Sequence, residues 1–184
     1  MEHIYEVKGR RVPSVTQIIG ELLPQWQADD WYLGRGTAVH ACCAMIARGE
    51  AFTHDPQIDG QVRAARKWYV DFSPDVFEVE TPRVSERFQF GGTPDLVASV
   101  NNRRTIVDFK ATMTPATPYQ LAGYAELVGD INVVMGVELR EDGTYKVSGL
   151  LGLRMLRREF LALRACYGIR ERLGMLSQGE TEEG

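Results

Sequence analysis

The sequence predicts a single α/β domain with a central sheet flanked by helices, and three observations carry that prediction. Apolar, β-branched runs at Val76–Val84, Phe88–Val100 and Arg103–Ala111 follow one another at the spacing of a meander. Helical periodicity brackets them at Asp29–Gly49 and at Tyr119–Val128. With 184 residues and 44% hydrophobic content, the chain can bury one ample core.

Taken in order, Ile4–Val7 and Arg11–Val12 flank Lys8-Gly9-Arg10 as a small hairpin. Ser14 and Gln17 have the spacing of a capping box, opening a short helix that ends near Pro24. The amphipathic helix Asp29–Gly49 comes next, behind an aromatic group of Trp26, Trp31 and Tyr32, which either packs under the linker or stacks on unpaired bases. A helix over Pro56–Phe72 precedes the strands, and Asn101-Asn102 supplies a tight turn between the last two. After Pro115 and Pro118 comes the Tyr119–Val128 helix, then a buried strand, Ile131–Leu139, and its hairpin partner, Thr144–Gly149. The C-terminal helix shows a core stripe of Leu153, Leu156, Phe160, Leu163, Tyr167 and Leu173. Residues 178–184 read as a disordered acidic tail.

Composition excludes several classes. No apolar run approaches membrane-spanning length, and the start Met1-Glu2-His3-Ile4-Tyr5-Glu6 lacks the basic segment of a signal peptide, so a cytoplasmic protein is expected. Cys42, Cys43 and Cys166 are odd in number and two are adjacent, which speaks against a disulfide framework. The net charge of −4 looks wrong for a nucleic-acid partner, but its distribution matters more than its total. Between Leu153 and Leu176 six arginines (154, 157, 158, 164, 170 and 172) face two glutamates. A second basic group, Arg63, Arg66 and Lys67, is interleaved with Trp68 and Tyr69. Each group is either a phosphate-binding patch or the solvated face of a packed helix.

The chemistry concentrates in Gly91-Gly92-Thr93-Pro94-Asp95 and Val107-Asp108-Phe109-Lys110. Strand alternation points Asp108 and Lys110 the same way, and two carboxylates with one amine on neighbouring strands can bind a divalent metal and activate a water. Glu80, at the end of Val76–Glu80, adds a third carboxylate on a third strand. Glu78 competes with it; Glu80 fits the spacing better, leaving Glu78 as a solvated group on the opposite face.

In the order Gly34-Arg35-Gly36-Thr37-Ala38-Val39-His40, Glu80, Gly92-Thr93-Pro94-Asp95, Val107-Asp108-Phe109-Lys110 and Gln120 to Tyr124, the chain resembles the PD-(D/E)XK nuclease superfamily, RecB-like and phage-type exonuclease branch. The resemblance spans about Pro13 to Leu139. It implies a restriction-endonuclease-like core, a mixed sheet flanked by helices. It implies a nuclease domain over 1–177, divided as 1–28 (hairpin and short helix), 29–150 (core) and 151–177 (C-terminal helix). Asp95, Asp108, the Phe109 carbonyl, Glu80 and His40 would hold one or two Mg²⁺ or Mn²⁺ ions, and Lys110 would orient the attacking water. Gln120, Tyr124, Arg35, Thr93 and Thr112 would contact substrate, although Gln120 and Tyr124 also read as ordinary helix packing. The implied partner is DNA, with no membrane and no iron–sulfur cluster, because three cysteines without the required spacing cannot hold one. A recombination or replication protein as partner is compatible with it, and the oligomeric state is open. The implied activity is metal-dependent cleavage of DNA, by an exonuclease or by an endonuclease on the same core, with a catalytically silent binding module as the rival from another class.

Overall fold

The centre of the molecule is fixed by three runs that are apolar along nearly their whole length: Leu96-Val97-Ala98, Thr105 to Phe109, and Val134 to Val137. Such continuity suits strands covered on both faces rather than one. In the computed structural model, which describes residues 4–23, 30–149 and 152–177 with the side chains of 30–33 excepted, they form the heart of a five-stranded sheet. Trp26, the side chains of Trp31 and Tyr32, and the 178–184 tail lie outside the described residues.

The elements are β1 (Tyr5–Val7), β2 (Arg10–Val12), α1 (Val15–Leu22), α2 (Asp30–Arg48), α3 (Asp59–Phe72), β3 (Asp75–Val79), β4 (Arg83–Ser85), β5 (Phe90–Gly92), β6 (Leu96–Val100), β7 (Arg103–Lys110), α4 (Thr117–Val128), β8 (Val133–Leu139), β9 (Tyr145–Gly149) and α5 (Leu153–Arg172). The central sheet has the order β3-β6-β7-β8-β9. All its pairs are antiparallel except β7–β8, which run parallel because α4 carries the chain across between them. The fold is α/β with a mixed sheet, as the sequence predicts.

One face of the sheet is covered by α2 and α3, whose Val39, Cys43 and Trp68 pack on Leu96, Val107, Phe109 and Val137. The other is covered by α1, α4 and α5, whose Ile18, Leu121 and Phe160 pack on Val97, Ile106 and Val134. Cys42 and Cys43 are small apolar core residues, buried with free thiols. The Ser14–Gln17 capping box is present, each side chain bonding the other's backbone amide. Asn101 and Asn102 turn β6 into β7 with φ of 50° and 60°, the left-handed pair that a two-residue hairpin needs.

Three expectations are corrected. The long pairing of Val76–Val84 with Phe88–Val100 is broken in two: β3 pairs with β6, while β4 and β5 form a separate ribbon. The chain leaves the sheet at Glu80, whose φ is +46°, and Pro82 follows, so the ladder cannot continue. The buried strand β8 begins at Val133 rather than Ile131. Leu173 lies past the end of α5 and is 65% exposed, so the apolar stripe stops at Tyr167.

The aromatic members of the second basic group belong to the core. Trp68 is fully buried and stacks on Phe72, and the Tyr69 hydroxyl reaches the Cys43 carbonyl. Arg63 and Lys67 are spent on Asp59 and Asp71 one turn away. In the first group Arg157, Arg164 and Arg170 bind backbone carbonyls or Glu21, while Arg154, Arg158 and Arg172 are exposed.

Candidate active site

β7 alternates so that Thr105, Val107 and Phe109 enter the α2/α3 core and Ile106 faces the α4 layer, on the same side as Asp108 and Lys110. Asp108 is 1% exposed, and neither carboxylate oxygen has a hydrogen-bond partner among the described residues. Lys110 lies 3.1 Å from Oδ2 as an ion pair, off the line of a hydrogen bond. Burial pushes the Asp108 carboxyl up to about 6; Lys110 pulls against that shift and the nearby Asp95 adds to it. Burial disfavours the ammonium of Lys110, yet Asp108 and Asp95 together hold it above the ordinary lysine range. An acidic group with unmet oxygens is one that could serve as a ligand to a hard positive ion.

Asp95 enters from the other side of the β6–β7 hairpin. The preceding Gly91 and Gly92 are glycines because of close approach: a Cβ at Gly91 would stand 2.3 Å from the Tyr5 ring, and one at Gly92 2.9 Å from the Tyr124 ring. Asp95 Oδ2 accepts the Phe109 N–H at 2.8 Å, and Oδ1 lies 3.2 Å from His40 Nδ1. Burial would raise this carboxyl, but His40, Lys110 and the Phe109 amide outweigh it and keep Asp95 ionised. Its carboxylate in turn raises the affinity of His40 for a proton, against the opposing effect of burial. The two aspartates therefore sit in opposite states of satisfaction, side by side.

The structure thus brings His40, Asp95, Asp108 and Lys110 together, with His40 meeting an aspartate rather than standing apart as an independent arm. Tyr124 is buried beside them, its hydroxyl accepting from Gln120 Nε2 at 3.0 Å, and burial together with Asp108 and Asp95 keeps the phenol protonated. Gln120 and Tyr124 are a hydrogen-bonded pair near the carboxylates, which is the helix-packing arrangement. Phe109 contributes its amide to Asp95 and its ring to the Trp68 and Tyr69 cluster.

Glu80 stands at the rim. Its amide donates to the Asp95 carbonyl at 3.1 Å, but its carboxylate turns 3.7 Å from Arg48 on α2. Glu78 is not the solvated group expected: Arg83 grips both its oxygens and Arg104 lies at 4.0 Å. Glu78 meets Arg83 and Arg104 while Glu80 meets Arg48 of α2, because Glu80 lies past the end of β3 with a left-handed backbone and so escapes the strand's alternation.

Thr93 is bonded to the Tyr5 hydroxyl at 2.8 Å, tying the N-terminal hairpin to the segment that delivers Asp95. Arg35 and Thr112 line a cavity of about 700 Å³ that also reaches His40 and Lys110. Gln61, Thr114, Leu139 and the Arg140-Glu141-Asp142 turn line it too, and sequence reasoning missed them. Only the charged turn between two strands left any trace in the sequence. Among the described residues no three His, Cys, Asp or Glu side chains form a metal cage. An incomplete oxygen set completed by water is what Mg²⁺ and Mn²⁺ commonly accept.

No family model and no curated protein matches the sequence. Solved structures do. The chain is similar to a candidate exonuclease from Eubacterium rectale, at 12% identity and a TM-score of 0.59, with 94% of this chain and 85% of that one covered. It is also similar to an alkaline exonuclease from Laribacter hongkongensis at 14% identity and a TM-score of 0.41, covering 87% and 90%, and to the dAMP complex of that enzyme at 11% and 0.43, covering 89% and 93%. The first of these likenesses shows the fold alone, restriction-endonuclease-like. No helix among the described residues is long and apolar enough to cross a membrane.

Proposed function

We propose that the protein is a metal-dependent DNA nuclease that hydrolyses phosphodiester bonds at strand ends, in DNA recombination, repair or phage DNA metabolism. The observation that carries this reading is Asp108, an acidic group buried without hydrogen-bond partners beside a second aspartate and a retained ammonium. Leaving a carboxylate so placed costs folding free energy, on the order of 1–3 kcal/mol per unmet group, which a purely structural residue would not retain.

Asp108 and Asp95 would hold a Mg²⁺ or Mn²⁺ ion, with the Phe109 carbonyl, Glu80 and His40 as the further groups within the proposal. When bound, the ion supplies positive charge to the phosphate and a water of lowered pKa. The chain's own residues do the rest. His40 and the Phe109 amide fix both oxygens of Asp95 in place, so that carboxylate does not reorganise when substrate arrives. Lys110, kept protonated by the two aspartates, is positioned to orient the attacking water and to offset charge that builds on the phosphoryl oxygens. Gln120 and Tyr124 support the floor of the cleft, and Arg35, Thr93 and Thr112 extend it toward the substrate backbone.

The test is incubation with end-labelled linear single-stranded, linear duplex and closed circular DNA, each with Mg²⁺, Mn²⁺ or EDTA. Metal-dependent loss of linear DNA alone is the expected result. Cutting of closed circles would replace the exonuclease with an endonuclease on the same core, and binding without turnover would reduce the protein to a recognition module.

A further inference from the structure

The cavity beside the carboxylates has one feature that cleavage chemistry does not require. Arg35, on α2, is 16% exposed and reaches out of the helix to the β8–β9 turn, where its guanidinium lies 3.0 Å from Glu141 Oε1. The same nitrogen also donates to the Gln57 carbonyl at 3.0 Å, so the cation is aimed from a fixed position. Glu141 is the opposite: its side chain is 73% exposed, at the tip of a turn between two strands. The backbone beneath it packs closely on α3, where a Cβ at Gly60 would stand 1.8 Å from the Glu141 carbonyl oxygen. A shielded cation therefore holds an exposed carboxylate at the mouth of the cleft.

The rest of the lining says what else such a place accepts. Val39, Ala111 and Leu139 give the cavity an apolar wall, and His40 and Lys110 connect it to the carboxylates. About 700 Å³ is ample for one unstacked nucleotide. An apolar wall, a largely shielded arginine and an adjoining ammonium make a surface for a group with one flat apolar part and one anionic part.

Resting on the nuclease reading, we infer that Arg35 is the anchor for a backbone phosphate of the DNA strand and that Glu141 is a built-in competitor, occupying the anion position until a phosphate displaces it. Planar guanidinium groups bind carboxylate and phosphate in the same fork geometry, so one site serves both. The exchange sets a threshold. A strand gains the Arg35 contact only by displacing Glu141, which weakens binding to isolated anions while a strand held at several phosphates still pays the cost once.

The experiment measures binding of a short fluorescein-labelled single strand to wild type, Glu141→Gln, Arg35→Ala and the double variant by anisotropy, with Ca²⁺ in place of Mg²⁺, and follows cleavage of the same strand in Mg²⁺. Glu141→Gln is expected to bind about three- to tenfold more tightly, the gain appearing in KM. The slope of log Kd against log salt should instead fall by about 0.7 in Arg35→Ala, the signature of one lost phosphate contact on a single strand. In the Arg35→Ala background the same substitution should gain nothing. Equal affinity for Glu141→Gln and wild type, or a gain that survives in Arg35→Ala, would overturn the inference while leaving the nuclease standing. Wild-type protein that neither binds nor cuts the strand would instead remove the nuclease reading, and this inference with it.

Discussion

Two regions of the molecule bury charge, and they treat it in opposite ways. Along α5, Arg157 donates to the carbonyl of Gly129 at 2.8 Å, Arg164 to that of Gln89 at 2.8 and 3.0 Å, and Arg170 to Glu21 and the Met175 carbonyl. These arginines meet backbone carbonyls and a carboxylate, locking the C-terminal helix against α1, α4 and the β4–β5 ribbon, with Arg157 Nε 3.9 Å from Glu126 and without a hydrogen bond among the described residues. At the end of β7, by contrast, Asp108 keeps both oxygens unmet, and its one cationic neighbour is poorly aligned. The arginines are bonded to oxygens of the fold and serve it; on the reading proposed above, a carboxylate with neither oxygen bonded is held for a cation.

The sharpest way to break that contrast is to neutralise the unmet group. Asp108→Asn is expected to lower metal-dependent cleavage by two orders of magnitude or more with the circular dichroism spectrum unchanged, because the amide offers a neutral oxygen where charge must balance a cation. Near-normal cleavage would take Asp108 out of the site.

On the structural side, Phe160 is fully buried and stacks on Phe90 with centroids 5.1 Å apart. Phe160→Ala should cost about 3–5 kcal/mol in denaturant titration, with the rate per folded molecule preserved. A selective loss of activity at unchanged stability would mean that α5 is part of the site after all.

Lys110→Ala should lower turnover at saturation by about ten- to hundredfold and leave DNA affinity within a few fold, since its contribution is realised as charge develops. Collapse of affinity with a normal saturated rate would make Lys110 a phosphate anchor instead. Arg164→Ala, which orphans the Gln89 carbonyl, is expected to cost about 1–3 kcal/mol of stability and nothing in catalysis per folded molecule.

The smallest effect is on pH. The carboxyl of Asp108 is lifted to about 6, so below that value a proton competes with any cation for the same oxygens. Mn²⁺ affinity measured by calorimetry should therefore be nearly constant above the midpoint and weaken by about tenfold per pH unit below it. In the metal-free protein the raised pKa has a definite sign: ionising Asp108 opposes folding at neutral pH, and that penalty fades as pH falls through about 6 toward the ordinary carboxylate range. A Mn²⁺ affinity flat from neutral pH down to the ordinary carboxylate range would show that Asp108 is not where the ion binds.

Much of the site was legible as local pattern. The Asp108–Lys110 spacing follows from strand alternation, and glycine pairs and asparagine turns announce where strands must bend. The break at Glu80 was not legible, because it depends on which partner β3 finds and on a single left-handed residue. Arginine-rich helices were equally opaque. A run of guanidinium groups on a helix face looks the same in sequence whether it meets solvent, phosphate or the carbonyl ends of neighbouring elements.

The sequence by itself therefore determined the α/β class, the order of elements and the residue types that could hold a cation, since these rest on periodicity and turn chemistry, which act over a few residues. Only the tertiary structure decided that His40 would meet Asp95, that Glu78 would be spent on Arg83, that Trp68 would be core, and that Glu141 would close on Arg35. Those contacts join residues brought together by sheet order and helix packing, and their partners are selected by burial and competing charges across the whole fold.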